Sequence, residues 1–214
     1  PLIACLPLIV IKAGDYMVTV PFIGQVNFGL LYPFLLIPAF ITVCGNAFNM
    51  IAGLNGLEAG SGLIIGLGLL VDGILAGNPI VISLSLILIA SLLAFLFFNF
   101  YPAKVFPGDI TPFLIGAMVA STAIIGDTEK FVVIAIGLYY LEFILKLRSG
   151  FKAQSFGIPQ EDGSLKSPYE KIYSVTHFVM KLGKDRLKEK QVVLVILLLQ
   201  TIPVLLAILV VLLQ

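Results

Sequence analysis

Charge is what this 214-residue sequence has least of: Asp, Glu, Lys and Arg make up 12% of it, against 59% hydrophobic residues. With a mean hydropathy of +1.10, that scarcity excludes a water-soluble domain, which could not hide so much apolar surface. A net charge of +1 removes any general electrostatic case for nucleic acid or another acidic partner. Histidine occurs once, as His177, so a histidine-built metal centre is excluded. The two cysteines, Cys5 and Cys44, lie in apolar runs without metal-ligand spacing and read as buried free thiols. No charged segment of a signal peptide precedes the first apolar run, Pro1–Ile11. At eleven residues that run reaches only about 17 Å as a helix, against the ~30 Å of a hydrocarbon core. It reads as the tail of a spanning helix, and the chain as an expected fragment.

What is present is a series of continuous apolar runs. They predict an all-α, polytopic transmembrane bundle, with spans near Leu30–Met50, Ser61–Ala76, Ile80–Phe98, Pro112–Gly126, Phe131–Leu147 and Val192–Leu213. That is about six full spans plus one truncated N-terminal span, forming a single domain over residues 1–214. Within it, residues 148–190 form a loop that carries an amphipathic helix. Alternating the spans leaves only Lys12 and Lys130, of 13 Lys and Arg, on the outer side. The rest face the cytoplasm, as the positive-inside rule requires.

Three polar constellations fall on that cytoplasmic face. In "GNAFNMIAGLNGLEAGSG", Gly45–Gly62, Asn46 and Asn49 are spaced to share a helix face. Gly53 and Gly56 then open the backbone around Asn55, and Glu58 follows. Carboxamide oxygens can ligate a hard cation, and freed backbone N–H groups can bind a base edge or a phosphate. In "YPAKVFPGDI", Tyr101–Ile110, Asp109 stands at the start of the next span, as a helix cap or a Mg²⁺ ligand. Phe106 could stack on a nucleobase and Lys104 could face phosphate.

The third, Arg148–Lys171, is read as a specificity lid or, equally, a solvated linker. The following Ile172–Leu182 stretch presents Ile172, Val175, Phe178, Val179 and Leu182 on one interfacial face. His177 is expected at the surface. The basic run Lys181–Gln191 flanks the last span, with anionic lipid as a secondary contact. Two carboxylates inside spans, Asp72 and Glu142, are expected to serve helix packing or the interface.

"NAFNMIAGLNGLEAG" followed some fifty residues later by "YPAKVFPGD" resembles the polyprenyl-phosphate N-acetylhexosamine-1-phosphate transferases. The dolichyl-phosphate GlcNAc-1-phosphotransferase branch is the nearest in motif, while the bacterial phospho-MurNAc-pentapeptide translocases usually carry Asp-Gly where this chain has Ala52-Gly53. The resemblance implies a ten-helix enzyme that transfers GlcNAc-1-phosphate from UDP-GlcNAc to a polyprenyl or dolichyl phosphate and releases UMP, the first step of lipid-linked oligosaccharide assembly. It implies Mg²⁺, with Mn²⁺ as a substitute, held by Asn49 and Asp109. Asn55 with the Gly53 backbone is implied as uracil reader and Phe106 as the stacking ring, with Asn46 and Glu58 in support.

The family's adjacent Asp-Asp pair is absent from the sequence, which fits truncation and predicts that this chain is inactive alone. "AQSFGIPQ", Ala153–Gln160, also lacks the His and Arg usual in the family's sugar-reading loop. The compact loops favour an archaeal plasma membrane over the endoplasmic reticulum, and a homodimer is left open. The rival readings are a secondary transporter with helices broken around Asn46–Gly60 and a non-catalytic membrane scaffold. A transporter should show inverted repeats and a second polar break, and neither is visible in the sequence.

Overall fold

The computed structural model describes residues 2–20 and 24–213; Pro1, the Pro21–Ile23 part of the first outer segment, and Gln214 lie outside the described residues. A short helix, α1 (Leu6–Val10), precedes a small antiparallel hairpin, β1 (Met17–Val20) with β2 (Gly24–Asn27). The body consists of α2 (Ile37–Ile51), α3 (Leu57–Leu75), α4 (Pro79–Asn99), α5 (Ile110–Ile125), α6 (Glu129–Ala135), α7 (Gly137–Leu147) and α9 (Glu189–Leu212). Between α7 and α9 lie a second hairpin, β3 (Ile158–Pro159) with β4 (Leu165–Lys166), and helix α8 (Val175–Leu182). Apart from these two hairpins, which the apolar-run pattern does not reveal, the bundle is helical.

Four helical stretches are long and apolar enough to cross a bilayer: Tyr32–Ile51, Leu57–Leu75, Pro79–Asn99 and Glu189–Leu212. The protein is therefore an integral membrane protein. A fifth, α5, has 16 residues. The expected span Phe131–Leu147 is broken between α6 and α7 at Ile136. A break inside a bundle frees a carbonyl that lipid cannot satisfy. Here the buried Gln200 of α9 donates its Nε2 to the Ala135 carbonyl at 2.8 Å, and Gly137 lets the Pro203 ring come close.

The crossing that builds the candidate site is that of α2 with α5. Gly116 of α5 lies against the Cys44 carbonyl of α2, which a Cβ at residue 116 would approach to 2.5 Å. Small residues at such a contact let two backbones approach inside a bundle. Asn49 and Asp109 follow in the same direction from this crossing, roughly 8 and 10 Å further along their helices. Close packing at the crossing thus carries both to one end of the bundle.

Candidate active site

Helix α2 ends where Ala52 turns extended and Gly53 takes φ +125°, a conformation that favours glycine. The Phe156 ring occupies the space a Cβ at Gly53 would fill. Three carboxylate or amide groups then fix the turn that follows. Glu58, buried in the first turn of α3, accepts the Gly53 N–H at 2.7 Å. Glu189, in the first turn of α9, accepts the Asn55 N–H at 2.7 Å. Asn99, fully buried at the end of α4, accepts the Gly56 N–H at 3.1 Å and donates to the Val105 carbonyl at 2.9 Å. A single amide therefore ties the Asn55 turn to the Phe106–Asp109 turn.

The result is a cleft of about 260 Å³ lined by Asn49, Gly53, Asn55, Glu58, Phe106, Asp109 and Phe156, with Ala52, Leu54, Pro107 and Gly108. Asp109 occupies the N-cap position of α5 but makes no capping bond, and no other hydrogen bond to its carboxylate is found among the described residues. The helix start favours its negative charge while leaving its oxygens open to a ligand. Phe106 is 75% exposed at the rim of this cleft. Six of the expected site residues are thus brought together: Asn49, Gly53, Asn55, Glu58, Phe106 and Asp109.

Two are not. Asn46 faces away from the cleft, donates to the Thr42 carbonyl at 2.8 Å, and borders a separate apolar groove with Met50, Tyr139, Phe143 and Phe151. Lys104 is exposed on the turn and does not line the cleft.

The 148–190 loop is anchored, which corrects the expectation of a solvated linker. Glu142, fully buried, accepts from Ser174 Oγ at 2.9 Å, from the Val175 N–H at 2.7 Å and from Ser155 Oγ at 3.4 Å. Lys146 lies 3.8 Å from the same carboxylate. Helix α8 turns Val175, Thr176, Val179 and Met180 inward, while Phe178 and Leu182 stay exposed. The expected five-residue apolar face is therefore split. His177 is not at the surface but fully buried, its ring tilted against that of Tyr169 with centroids 5.3 Å apart. Burial, with Lys146 and Lys181 nearby, pushes its pKa below the ordinary histidine value. On the exposed β3–β4 turn, bonds from the Ser164 hydroxyl and N–H hold the Asp162 carboxyl below the usual range.

Sequence reading missed Asn99, Glu189 and Phe156, and placed Glu142 only generally. The available signal was a polar residue at the very end of an apolar run, as in "FFNFYPA" for Asn99.

The fold and cleft describe a helical membrane bundle with a cleft of about 260 Å³ at one end, lined by amide, carboxylate and aromatic side chains. The profile of glycosyl transferase family 4 matches residues 1–127; the chain belongs to that family. It is similar to two archaeal proteins that carry the provisional name UDP-N-acetylglucosamine–dolichyl-phosphate N-acetylglucosaminephosphotransferase. Identity is 42% over 198 residues with that of Sulfolobus acidocaldarius and 44% over 200 residues with that of Saccharolobus solfataricus. Both alignments cover 92% of this chain, and they cover 60% and 61% of the relatives. The chain thus spans about three fifths of the length of these curated relatives. A phospho-N-acetylmuramoyl-pentapeptide-transferase of Dictyoglomus turgidum is 36% identical over 113 residues, covering 53% of this chain and 36% of the relative. None of these names supports the transporter reading.

Proposed function

We propose that the protein transfers GlcNAc-1-phosphate from UDP-GlcNAc to a polyprenyl or dolichyl phosphate, with release of UMP. The carrying observation is the gathering of Asn49, Asn55, Phe106 and Asp109 around one cleft at the end of a bilayer-spanning bundle. The reaction places an oxygen of the lipid phosphate on the β-phosphorus of the sugar nucleotide. The new P–O bond forms as the bond to the UMP phosphate breaks, so the protein's task is positioning and charge stabilisation.

In this reading the Asn55 turn and the Phe106 ring hold the uracil. The apolar groove bordered by Asn46, Met50, Tyr139, Phe143 and Phe151 gives the acceptor's hydrocarbon chain a path along the bundle. Asp109 and the Asn49 carboxamide would hold Mg²⁺, or Mn²⁺ in its place. Their chemistry fits: one open carboxylate and one amide suit an ion that also takes phosphate oxygens and water, although no group of three His, Cys, Asp or Glu capable of holding a metal occurs among the described residues. When bound, such an ion withdraws charge from the pyrophosphate. The excess of Lys and Arg beside the cleft end supports a cytoplasmic site, and the archaeal relatives favour an archaeal plasma membrane.

The test is transfer of labelled sugar from UDP-GlcNAc into organic-extractable lipid by the full-length protein. Transfer that requires polyprenyl phosphate and is lost in Asn55→Ala supports the reading. Transfer to water alone, or none with active-looking folded protein, counts against it.

A further inference from the structure

Phe156 stands out because it belongs to a loop far from the two motifs in sequence yet forms a wall of their cleft. Its ring covers the Gly53 backbone, in the space a side chain at residue 53 would need, and still exposes 49% of its surface. An apolar ring held half-bare beside polar groups gains more by covering a ligand than by staying in water.

Its position is not left to a flexible loop. The neighbouring Ser155 is buried; its hydroxyl proton is shared between the Met50 carbonyl at 3.3 Å and the Glu142 carboxylate at 3.4 Å, and its carbonyl accepts from Thr176 Oγ1 at 2.6 Å. Both strands of this clasp converge on Glu142, which takes the Ser155 and Ser174 hydroxyls and the Val175 N–H. One buried carboxylate on α7 therefore pins two segments of the loop, residues near 155 and near 175, against α2 and α7. Such a network, with nearly every acceptor used, fixes one arrangement.

We propose that Phe156 is a nucleotide-contacting residue, an aromatic wall on the Gly53 side of the cleft, and that Glu142 is the positioning residue that holds it there. The ligand class is the planar base of a nucleoside diphosphate, lying between the Phe156 wall and the turn that carries Phe106. This rests on the nucleotide reading of the cleft and adds to it a second ring and the anchor behind it. It also accounts for Gly53: any side chain there would displace the ring.

The probe is UDP alone, titrated calorimetrically against the full-length protein in nanodiscs. Phe156→Ala should weaken UDP binding about tenfold, the scale of one lost base–aromatic contact, and Phe156→Tyr should restore it. In turnover the loss should fall on KM for the sugar nucleotide, with kcat and KM for the lipid phosphate changing less than about twofold. Glu142→Gln should weaken UDP binding in the same direction. The double variant should be no weaker than the weaker single one, because both act through the same ring. Melting temperatures of each variant separate this from unfolding, and a folded Glu142→Gln with unchanged UDP affinity would overturn the positioning role. Unchanged affinity in Phe156→Ala, with affinity lost in Asn55→Ala, would overturn the proposal while leaving the nucleotide site standing. If neither substitution alters UDP binding, the nucleotide reading itself fails and this proposal with it.

Discussion

At the end of the bundle away from the cleft, every carboxylate is occupied. Asp15 accepts from the Met17 N–H, Asp127 from the Asp15 N–H, Glu129 from the Tyr32 hydroxyl at 2.5 Å, and Asp72 from the Thr128 hydroxyl. Asn78 joins them, capping α4 and donating to the Gly126 carbonyl at 3.2 Å. At the cleft end Glu58, Glu142 and Glu189 are engaged in the same way with backbone and hydroxyl donors, but Asp109 is not. The difference teaches how to read acidic residues in a membrane protein. A carboxylate that accepts a hydrogen bond from the fold has a structural explanation. One that stands at a helix start with free oxygens, beside an amide and two exposed rings, has its explanation in a ligand.

The contrast can be broken by substitution, and the largest effect belongs to the cleft. Gly53→Ala forces a Cβ into the space of the Phe156 ring at a strained φ. UDP affinity and sugar transfer by the full-length protein should each fall by about a hundredfold, read by calorimetry and by labelled-lipid formation. Asn99→Leu comes next. It leaves the Gly56 N–H and the Val105 carbonyl unpaired, at about 1–3 kcal/mol per group. Both melting temperature and UDP affinity should drop, because one side chain serves both turns.

At the opposite end, Thr128→Val strips the buried Asp72 carboxylate of its donor. Thermal denaturation should show a loss of a few degrees while transfer stays within about twofold of wild type. An equal loss of transfer there would erase the distinction between the two ends.

The smallest effect concerns pH. The folded-state pKa of His177 lies below its ordinary value, so the unfolded chain takes up the proton first as pH falls. The stability tied to the neutral ring is present above the ordinary histidine value, near 6.5, and is lost as pH drops through it towards the folded value. Melting temperature should decline between about pH 7 and pH 5.5, and His177→Gln should flatten that slope.

Much of this molecule was legible in its sequence because lipid makes a strong and local demand. The run expected at Ile80–Phe98 is α4 at Pro79–Asn99, and Val192–Leu213 is α9 at Glu189–Leu212. The ends differ by a few residues because capping groups such as Asn78 and the first turn of α9 carry the helix past its apolar stretch. The Asn49–Asn55 and Phe106–Asp109 motifs were legible as well, since a bilayer span has no use for such polar residues.

What the sequence concealed are the pairings. Nothing in the spacing of Asn99 tells that it bonds to residue 56, nor does Glu142 reveal its partners at 155, 174 and 175, because these bonds join segments tens of residues apart. Periodicity also failed at α8, where eight residues share their burial among three neighbouring segments rather than one apolar surface. The break at Ile136 was hidden for the same reason: its compensation, Gln200, lies on another helix.

Asp109 is the open carboxylate of the cleft. Its direct test is UMP release from UDP-GlcNAc and polyprenyl phosphate by the full-length protein in detergent, comparing wild type with Asp109→Ala across a Mg²⁺ titration. A loss of about a hundredfold or more that added Mg²⁺ does not recover is expected, with the melting temperature lowered by no more than a few degrees, since the side chain makes no hydrogen bond and loses only its interaction with the helix start. Wild-type turnover in the folded variant would contradict it.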